Sequence, residues 1–283
     1  MRLALASARE LPRIDGDLPC LAAACAWRGW ATETVVWDDP HVEWGAFDLV
    51  LVRSTWDYVP KLAAFRSWID RAGRVTRMVN PAATLHWNLH KGYLLELGRC
   101  GVPIVPTVLL GAHEHADWDT LAADHDALVL KPAESAGSFA TIRIAAADHA
   151  GAAAHRAAHL GRDFLVQPFL PSVLDRGETN LVFLGGAFSH AVRKGARWDG
   201  EPEQSRGLVD PEPGELAVAA QVFEAVRRLG HGTPAYARID LAIGPGSRPL
   251  LMELELVEPS LFLDRAEGSA DRLLDALADR AIT

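Results

Sequence analysis

The chain has 283 residues, of which 49% are hydrophobic and 23% are charged. Its 28 basic and 37 acidic side chains give a formal net charge of -9 at pH 7. This acidic balance argues against a broad surface for nucleic acid or anionic membranes, although it leaves room for a local basic pocket. The length is sufficient for two or three lobes that each bury a core.

The three cysteines, Cys20, Cys25 and Cys100, show no metal-ligand spacing. Their odd number and wide separation disfavour a disulfide framework and suit a reducing cytoplasm. No run approaches the roughly 18 apolar residues of a membrane span, and the first apolar run is too short for a signal peptide. We therefore predict a cytoplasmic protein whose partners include neither membrane nor nucleic acid; a homodimer stays open.

The first 80 residues alternate between strand-like and helix-like segments. The apolar runs "RLALA", "ETVVW" and "DLVLVR" are separated by "DLPCLAAACAWRGW" and followed by "PKLAAFRSWIDRAG". Asp17 is a candidate N-cap of the first helix. This alternation predicts a parallel sheet whose ligands bind at the carboxyl ends of its strands, where "RSTWDY" at residues 53–58 is expected.

Two further units follow. A helix over residues 88–100, the strands "PIVPTVLL", "DALVLK" and "ATIRI", and a helix over 148–160 predict a small α+β lobe. Beyond it, Gly185 and Gly186 separate "TNLVFL" from "AFSHAVRK", a strong hairpin signal. Helices over 215–229 and 269–281 flank the strands "YARIDLAI" and "PLLMELELV".

The predicted fold class is therefore α/β with three lobes. We place an N-terminal parallel α/β domain at 1–87, a small lobe at 88–165 and a C-terminal α+β lobe at 166–283. The polar, Gly/Pro-rich segment 197–214 is expected to be a functional loop or a disordered one.

The stretch "LVLKPAESAGSFATIRI" places Lys131 at the end of an apolar strand, before a loop of small residues. A loop with such backbone freedom can close over phosphates and offer its N–H groups, while Lys131 supplies a positive charge. A plain hairpin connection with a surface lysine is the alternative. The stretch is not a P-loop, because no "GK[ST]" opens a helix.

Three carboxylates occur late in the chain, with Asp240 on one predicted strand and Glu253 and Glu255 on the next. Glu253 and Glu255 share a face because side chains alternate along a strand, and Asp240 lies opposite if the strands are antiparallel. Converging carboxylates predict a Mg²⁺ site, with Mn²⁺ as an alternative metal. A solvated acidic strand face is the other interpretation.

The order of these features resembles the ATP-grasp superfamily. A first lysine in "NLHKGY", a second before the loop, "VQPFL", an acid in "GETNL" and the late carboxylates follow one another as in that family. The resemblance implies two Mg²⁺ ions held by Asp240, Glu253 and Glu255. It implies ATP-binding roles for the following residues: Lys91, Lys131, Ser135, Gly137, Ser138, Gln167, Pro168, Phe169, Leu170 and Glu178.

Within that resemblance, Lys91 and Lys131 would contact phosphates, the carbonyl of Pro168 and the N–H of Leu170 would contact adenine, and Glu178 would accept from the ribose. Arg193, Arg238 and Lys131 would act as catalytic residues. Two positions depart from the family pattern. Pro168 lacks an N–H, and Glu255 stands where the family commonly has Asn.

The stretches "LVRSTWDY" and "FRSW" are similar to a narrower subgroup, the cycloserine synthetases. This likeness implies that ATP activates the carboxylate of O-ureido-D-serine as an acyl-phosphate, which then closes intramolecularly to D-cycloserine. For the small carboxylate substrate we expect contacts with Arg53, Ser54, Thr55, Asp57 and Arg193. The alternative for residues 53–57 is a capped loop in which Ser54 or Asp57 begins the next helix.

Other functions remain open at this point. An intermolecular ligase would join an amino acid or peptide to an amine. A nucleotide-binding module without turnover would need no metal site, and a small-molecule kinase would release a stable phosphorylated product.

Overall fold

The computed structural model describes residues 1–198 and 205–282. Its first sheet is parallel, with strand order β2-β1-β3-β4, which confirms the predicted N-terminal arrangement. The first elements are β1 (Arg2–Ser7), α1 (Asp17–Trp27), β2 (Ala31–Val36), β3 (Leu49–Val52), α2 (Leu62–Val75) and β4 (Arg77–Val79). Side chains of β1 alternate between two cores, because Leu3 and Leu5 pack with Leu21 of α1, whereas Ala4 and Ala6 pack in the same core as α2.

The predicted cap of α1 is wrong. Gly16 occupies the N-cap position, and no side chain caps the helix. The Asp17 carboxylate instead accepts hydrogen bonds from the backbone N–H groups of Leu261 and Leu263, each at 2.7 Å. Asp17 therefore fastens a distant C-terminal segment to the first domain, a contact that local sequence does not reveal.

The predicted helix over 88–100 is two shorter helices, α3 (Ala82–Asn88) and α4 (Tyr93–Arg99). Lys91 lies in the turn between them, where its N–H donates to the Ala133 carbonyl at 2.7 Å. The break therefore ties Lys91 to the loop that follows Lys131.

The second sheet is antiparallel, with strand order β5-β8-β6-β7. Its elements are β5 (Val108–Leu110), α5 (Trp118–Ala122), β6 (Ala127–Pro132), β7 (Ile142–Ala145), α6 (His149–Ala158) and β8 (Phe164–Pro168). The predicted boundary between residues 165 and 166 falls inside β8. The exact lobe limits stay a prediction.

The third sheet is also antiparallel, with order β11-β10-β9-β12-β13. Its elements are α7 (Ser172–Asp175), β9 (Glu178–Leu184), β10 (Ala187–Lys194), β11 (Ser205–Leu208), α8 (Pro213–Arg228), β12 (Tyr236–Gly244), β13 (Arg248–Glu255) and α9 (Ser269–Ile282). Gly185 and Gly186 turn the β9–β10 hairpin with φ of 63° and 87°, as predicted. Of the predicted 197–214 loop, residues 199–204 lie outside the described residues, 205–208 form β11 and 213 begins α8.

Two buried asparagines join the third sheet to the first domain. Asn80 donates to the carbonyls of Tyr236 and Leu256, each at 3.0 Å. Asn88 donates to the carbonyl of Leu254 at 2.8 Å and accepts from the N–H of Leu256 at 2.7 Å. These bonds fix the ends of β12 and β13 against the turn that carries Lys91.

Short 3₁₀ turns complete the described elements, at Trp44–Ala46, Val59–Lys61 and Pro245–Ser247. Among the helices of the described residues, none has the length and apolar character to span a bilayer.

Candidate active site

A cavity of about 1150 Å³ is lined by residues of the second and third sheets and by loops of the first domain, including the loop that follows β3. Two parts of its wall differ in chemistry. We call the part formed by Lys91, Lys131, Asp240, Glu253 and Glu255 the charged end. The part formed by Trp56, Tyr58 and Glu258 is the aromatic end.

At the charged end, both predicted lysines are buried. Lys91 Nζ lies 3.0 Å from Glu253 Oε1 and donates to the carbonyl of Ser135 at 2.7 Å and to its hydroxyl at 3.1 Å. Burial lowers the pKa of Lys131, although Glu253 opposes this effect. Two cations confined in one cavity favour an anionic ligand.

Register brings the three carboxylates together. Asp240 on β12 is opposite Glu253 on β13, and Arg238 is opposite Glu255. The Arg238 guanidinium forms a two-point ion pair with Asp240, with both N–O distances 2.8 Å, and also contacts Glu255. The predicted antiparallel pairing is therefore present, with Arg238 among the acids.

The pKa values at this end diverge. Burial alone would raise the pKa of Glu253, but Lys91 and Lys131 lower it to about 2. Burial raises the pKa of Glu255 to about 8, reinforced by Asp240 and Glu253 and opposed by Arg238. Because burial is the largest cause and penalises the charged form, protonation of Glu255 is favoured.

Within residues 1–198 and 205–282, no three His, Cys, Asp or Glu side chains have the arrangement of a formed metal site. The donor set nevertheless fits Mg²⁺, since it consists of carboxylate oxygens from paired strands. Asp240, Glu253 and Glu255 are the residues that would hold the ion.

The predicted phosphate loop lines the same cavity through Ser135, Gly137 and Ser138. Gly137 and Ser138 both have φ of 62°, in the left-handed region. Successive backbone N–H groups in turn conformations can form a concave anion site. The geometry is thus compatible with the phosphate contacts expected for this loop.

The predicted adenine and ribose residues also line the cavity. Gln167, Pro168, Phe169 and Leu170 lie at the end of β8, and Glu178 begins β9. Burial raises the pKa of Glu178. Lys194, whose Nζ lies 3.5 Å from Glu178 Oε2, opposes this increase.

Lys194 was not predicted, although it lines the cavity and lies 3.7 Å from Asp240 Oδ2. The neighbouring Arg193 is absent from the lining; its Nη1 donates to the Thr179 hydroxyl at 2.6 Å. Strand alternation explains the difference, since adjacent side chains of β10 face opposite sides of the sheet. The adjacent "RK" in the sequence indicates that one of two basic side chains can face the cavity. Only the register of β10 shows which of the two does so.

The residues expected to hold the substrate, Arg53, Ser54, Thr55 and Asp57, are all absent from the lining. Arg53 is 0% exposed and pairs with Asp17 at 2.6 Å. Ser54 donates to Asp15, and Thr55 is buried. Asp57 accepts from Trp37 Nε1 and pairs with Lys61, each at 2.7 Å. These four side chains lie behind the residues that line the cavity.

The side chains on the wall are their neighbours Trp56 and Tyr58. Trp56 Nε1 donates to the carbonyl of Glu258 at 3.1 Å, and Arg13 stacks on the Trp56 ring at 4.2 Å. Glu258 also lines the cavity and was missed, because no local pattern distinguishes it from an ordinary loop acid.

The chain is similar to proteins of known function. The family model for the D-cycloserine synthetase DcsG N-terminal domain matches residues 3–80. The cycloserine biosynthesis protein DcsG of Streptomyces lavendulae is 36% identical over 282 residues, covering 94% of each chain.

Solved structures are also similar. A crystal structure of D-cycloserine synthetase DcsG superposes with a TM-score of 0.90 and 33% identity, covering 99% of this chain and 100% of that one. A RimK domain ATP-grasp protein from Sphaerobacter thermophilus superposes at 0.66 with 21% identity, covering 100% of both chains.

Fold and cavity together define an ATP-grasp enzyme, an ATP-dependent ligase. The sequence identity of 36% to the Streptomyces lavendulae protein extends over nearly the whole length of both chains. The chain belongs to the D-cycloserine synthetase DcsG family.

Proposed function

We propose that this enzyme closes O-ureido-D-serine to D-cycloserine with the conversion of ATP to ADP and phosphate. The observation that carries the proposal is the meeting of Lys91, Lys131 and Glu253 in one cavity large enough for nucleotide and substrate. Full-length similarity to proteins named for cycloserine synthesis supports the choice of substrate.

The chemistry requires activation, because a carboxylate is a poor electrophile. Transfer of the γ-phosphoryl group of ATP to the substrate carboxylate gives an acyl-phosphate. The ureido nitrogen bonded to the side-chain oxygen then attacks the carbonyl carbon, the five-membered ring forms and phosphate leaves. Water removes the carbamoyl group, which is released as carbon dioxide and ammonia. Intramolecular attack benefits from a large effective concentration.

Phosphoryl transfer depends on positioning and on charge neutralisation. We assign phosphate contacts to Lys91 and Lys131, with Lys194 as a third cation. Arg238, which contacts Asp240 and Glu255, would stabilise the transferring group. Mg²⁺, when held by the trio, would neutralise phosphate charge. Arg193, behind the sheet, would act through Thr179.

The rest of the cavity accommodates the remaining parts of the ligands. We propose that the Pro168 carbonyl and the Leu170 N–H contact adenine and that Glu178 accepts from the ribose. Closure of the loop 132–140 would keep water from the acyl-phosphate. Arg53, Ser54, Thr55 and Asp57 would hold the aromatic end in place rather than contact substrate. We propose a cytoplasmic location, where ATP is available.

The test is an incubation with ATP, Mg²⁺ and O-ureido-D-serine in the absence of a second amine. We expect ADP and D-cycloserine in equal amounts. Absence of both products would remove the cyclo-ligase proposal. Amide formation only after an amine is added would favour an intermolecular ligase, and a stable phosphorylated product would favour a kinase.

A further inference from the structure

Glu258 lies on the cavity wall three residues beyond the last acid of the trio. Its carboxyl lies within hydrogen-bonding reach of the Tyr58 hydroxyl, and its backbone carbonyl accepts from Trp56 Nε1 at 3.1 Å. Tyr58 is 3% exposed and stacks on Phe65 with ring centroids 4.6 Å apart. Glu258 is therefore held by two aromatic side chains that the core itself fixes.

The other carboxylates of the cavity have partners that suit different roles. Glu253 pairs with Lys91, Asp240 and Glu255 contact Arg238, and Glu178 is 3.5 Å from Lys194. The pKa of about 2 makes Glu253 a weak base, and the other three carboxylates are assigned above to the metal or to the ribose. Glu258 stands apart from these pairs, at the end of the cavity that is left for the substrate when nucleotide fills the charged end.

We propose that Glu258 is the general base of ring closure, an inference that rests on the function proposed above. As the ureido nitrogen attacks the acyl-phosphate carbonyl, the new carbon–nitrogen bond forms and the carbon–oxygen bond to phosphate breaks. The phosphate leaves with the bonding electron pair, and the proton of the attacking nitrogen passes to a Glu258 carboxylate oxygen.

The electrostatic surroundings of Glu258 suit this task. Burial raises its pKa to about 7, against the lowering effects of the Tyr58 hydrogen bond and of Lys91. A general base works best when its pKa lies near the working pH. The titratable groups with the largest effects on the pKa of Glu258 are Tyr58, Lys91 and Glu253. Tyr236, whose hydroxyl donates to the Val257 carbonyl at 2.7 Å, also interacts electrostatically with Glu258.

The experiment separates activation from ring closure. Hydroxylamine traps an acyl-phosphate as a hydroxamate without needing a protein base, whereas D-cycloserine formation needs one. In Glu258→Gln we expect D-cycloserine formation to fall about 10²–10⁴-fold, while ADP and hydroxamate formation stay within about threefold. We expect Glu258→Asp to recover part of the loss. The exposed Glu267→Gln is the matched control.

Several results would overturn the inference while leaving the proposed function intact. These are ring closure at the wild-type rate in a folded Glu258→Gln variant, or an equal loss of hydroxamate and D-cycloserine. The pH profile of ring closure gives a further test. If the wild-type profile has an acidic limb near neutrality and that limb keeps the same apparent pKa in Glu258→Asp, the inference is also contradicted. By contrast, failure of the wild-type enzyme to form ADP, hydroxamate and D-cycloserine would mean that the proposed function itself is wrong.

Discussion

Charged side chains have different roles at the two ends of the cavity. At the charged end, Lys91, Lys131 and Arg238 lie among carboxylates on the cavity wall, where a ligand can exchange partners with them. Behind the aromatic end, the cation Arg53 and its anion Asp17 are almost wholly buried against each other. The first arrangement is suited to neutralising phosphates, whereas the second fixes the shape of a pocket. Four predictions distinguish these roles.

The largest effect is expected from Glu253→Gln at the charged end. Losing this carboxylate removes a metal ligand and the partner of Lys91, so turnover should fall about 10²–10³-fold. Steady-state ADP release measures the effect, and circular dichroism checks that the fold is retained. Unchanged turnover would show that Glu253 has no part in metal or phosphate binding.

Arg53→Met should act on stability instead. The change leaves Asp17 buried without its partner, which is expected to lower the free energy of unfolding by about 3–5 kcal/mol. Urea denaturation measures this loss. The control is Asp57→Asn, whose pairing with Lys61 is near the surface and should change stability by less than about 1 kcal/mol. A loss below about 1 kcal/mol in Arg53→Met would contradict the supporting role.

The neighbours Lys194 and Arg193 offer a matched pair on one strand. A hydrogen bond to a charged group contributes about 1.5–3 kcal/mol, so Lys194→Met should raise the KM for ATP or lower turnover about 10–100-fold. Arg193→Met should have a smaller effect, because its guanidinium contacts Thr179 behind the sheet. If Arg193→Met had the larger effect in steady-state kinetics, the ligand would lie on the face of the sheet that carries Arg193.

The smallest predicted effect is a pH dependence of stability in metal-free protein. The pKa values of Glu255 and Glu258 are raised from 4.5 to about 8 and about 7. The folded protein therefore retains protons that the unfolded chain has lost, and its stability should fall by about 2 kcal/mol between about pH 6 and pH 7. Urea denaturation in the presence of EDTA measures this change.

Glu255→Gln should reduce that dependence, because the amide cannot ionise and only Glu258 still contributes. A slope that is equally steep in the variant would show that Glu255 is already ionised at the lower pH in the folded protein. The isosteric amide also keeps the strand contacts of β13 largely intact, so the comparison isolates the charge.

Sequence alone could predict the charged end because regular structure positions its residues. Side-chain alternation puts Glu253 and Glu255 on one face, and the antiparallel pairing of two apolar strands places Asp240 opposite. The parallel first sheet and the Gly185–Gly186 hairpin followed from equally local signals. Each of these predictions depends on contacts between neighbouring strands or within one turn.

The aromatic end depends on contacts that local patterns do not encode. Arg53 is 36 residues from Asp17, and Trp56 is 202 residues from Glu258. A strand-end arginine is as compatible with ligand binding as with a buried ion pair until these partners are known. The choice between Arg193 and Lys194 likewise required the register of β10, and the break at Lys91 required its contact with Ala133.

The central claim is that Lys91, Lys131 and the late carboxylates surround the triphosphate of a bound nucleotide. A crystal structure with Mg²⁺ and a non-hydrolysable ATP analogue tests it most directly. We predict phosphate oxygens within hydrogen-bonding distance of both lysine Nζ atoms and a metal ion bound to Glu253. Phosphates located elsewhere, or a nucleotide whose phosphates face away from Glu253, would contradict the account.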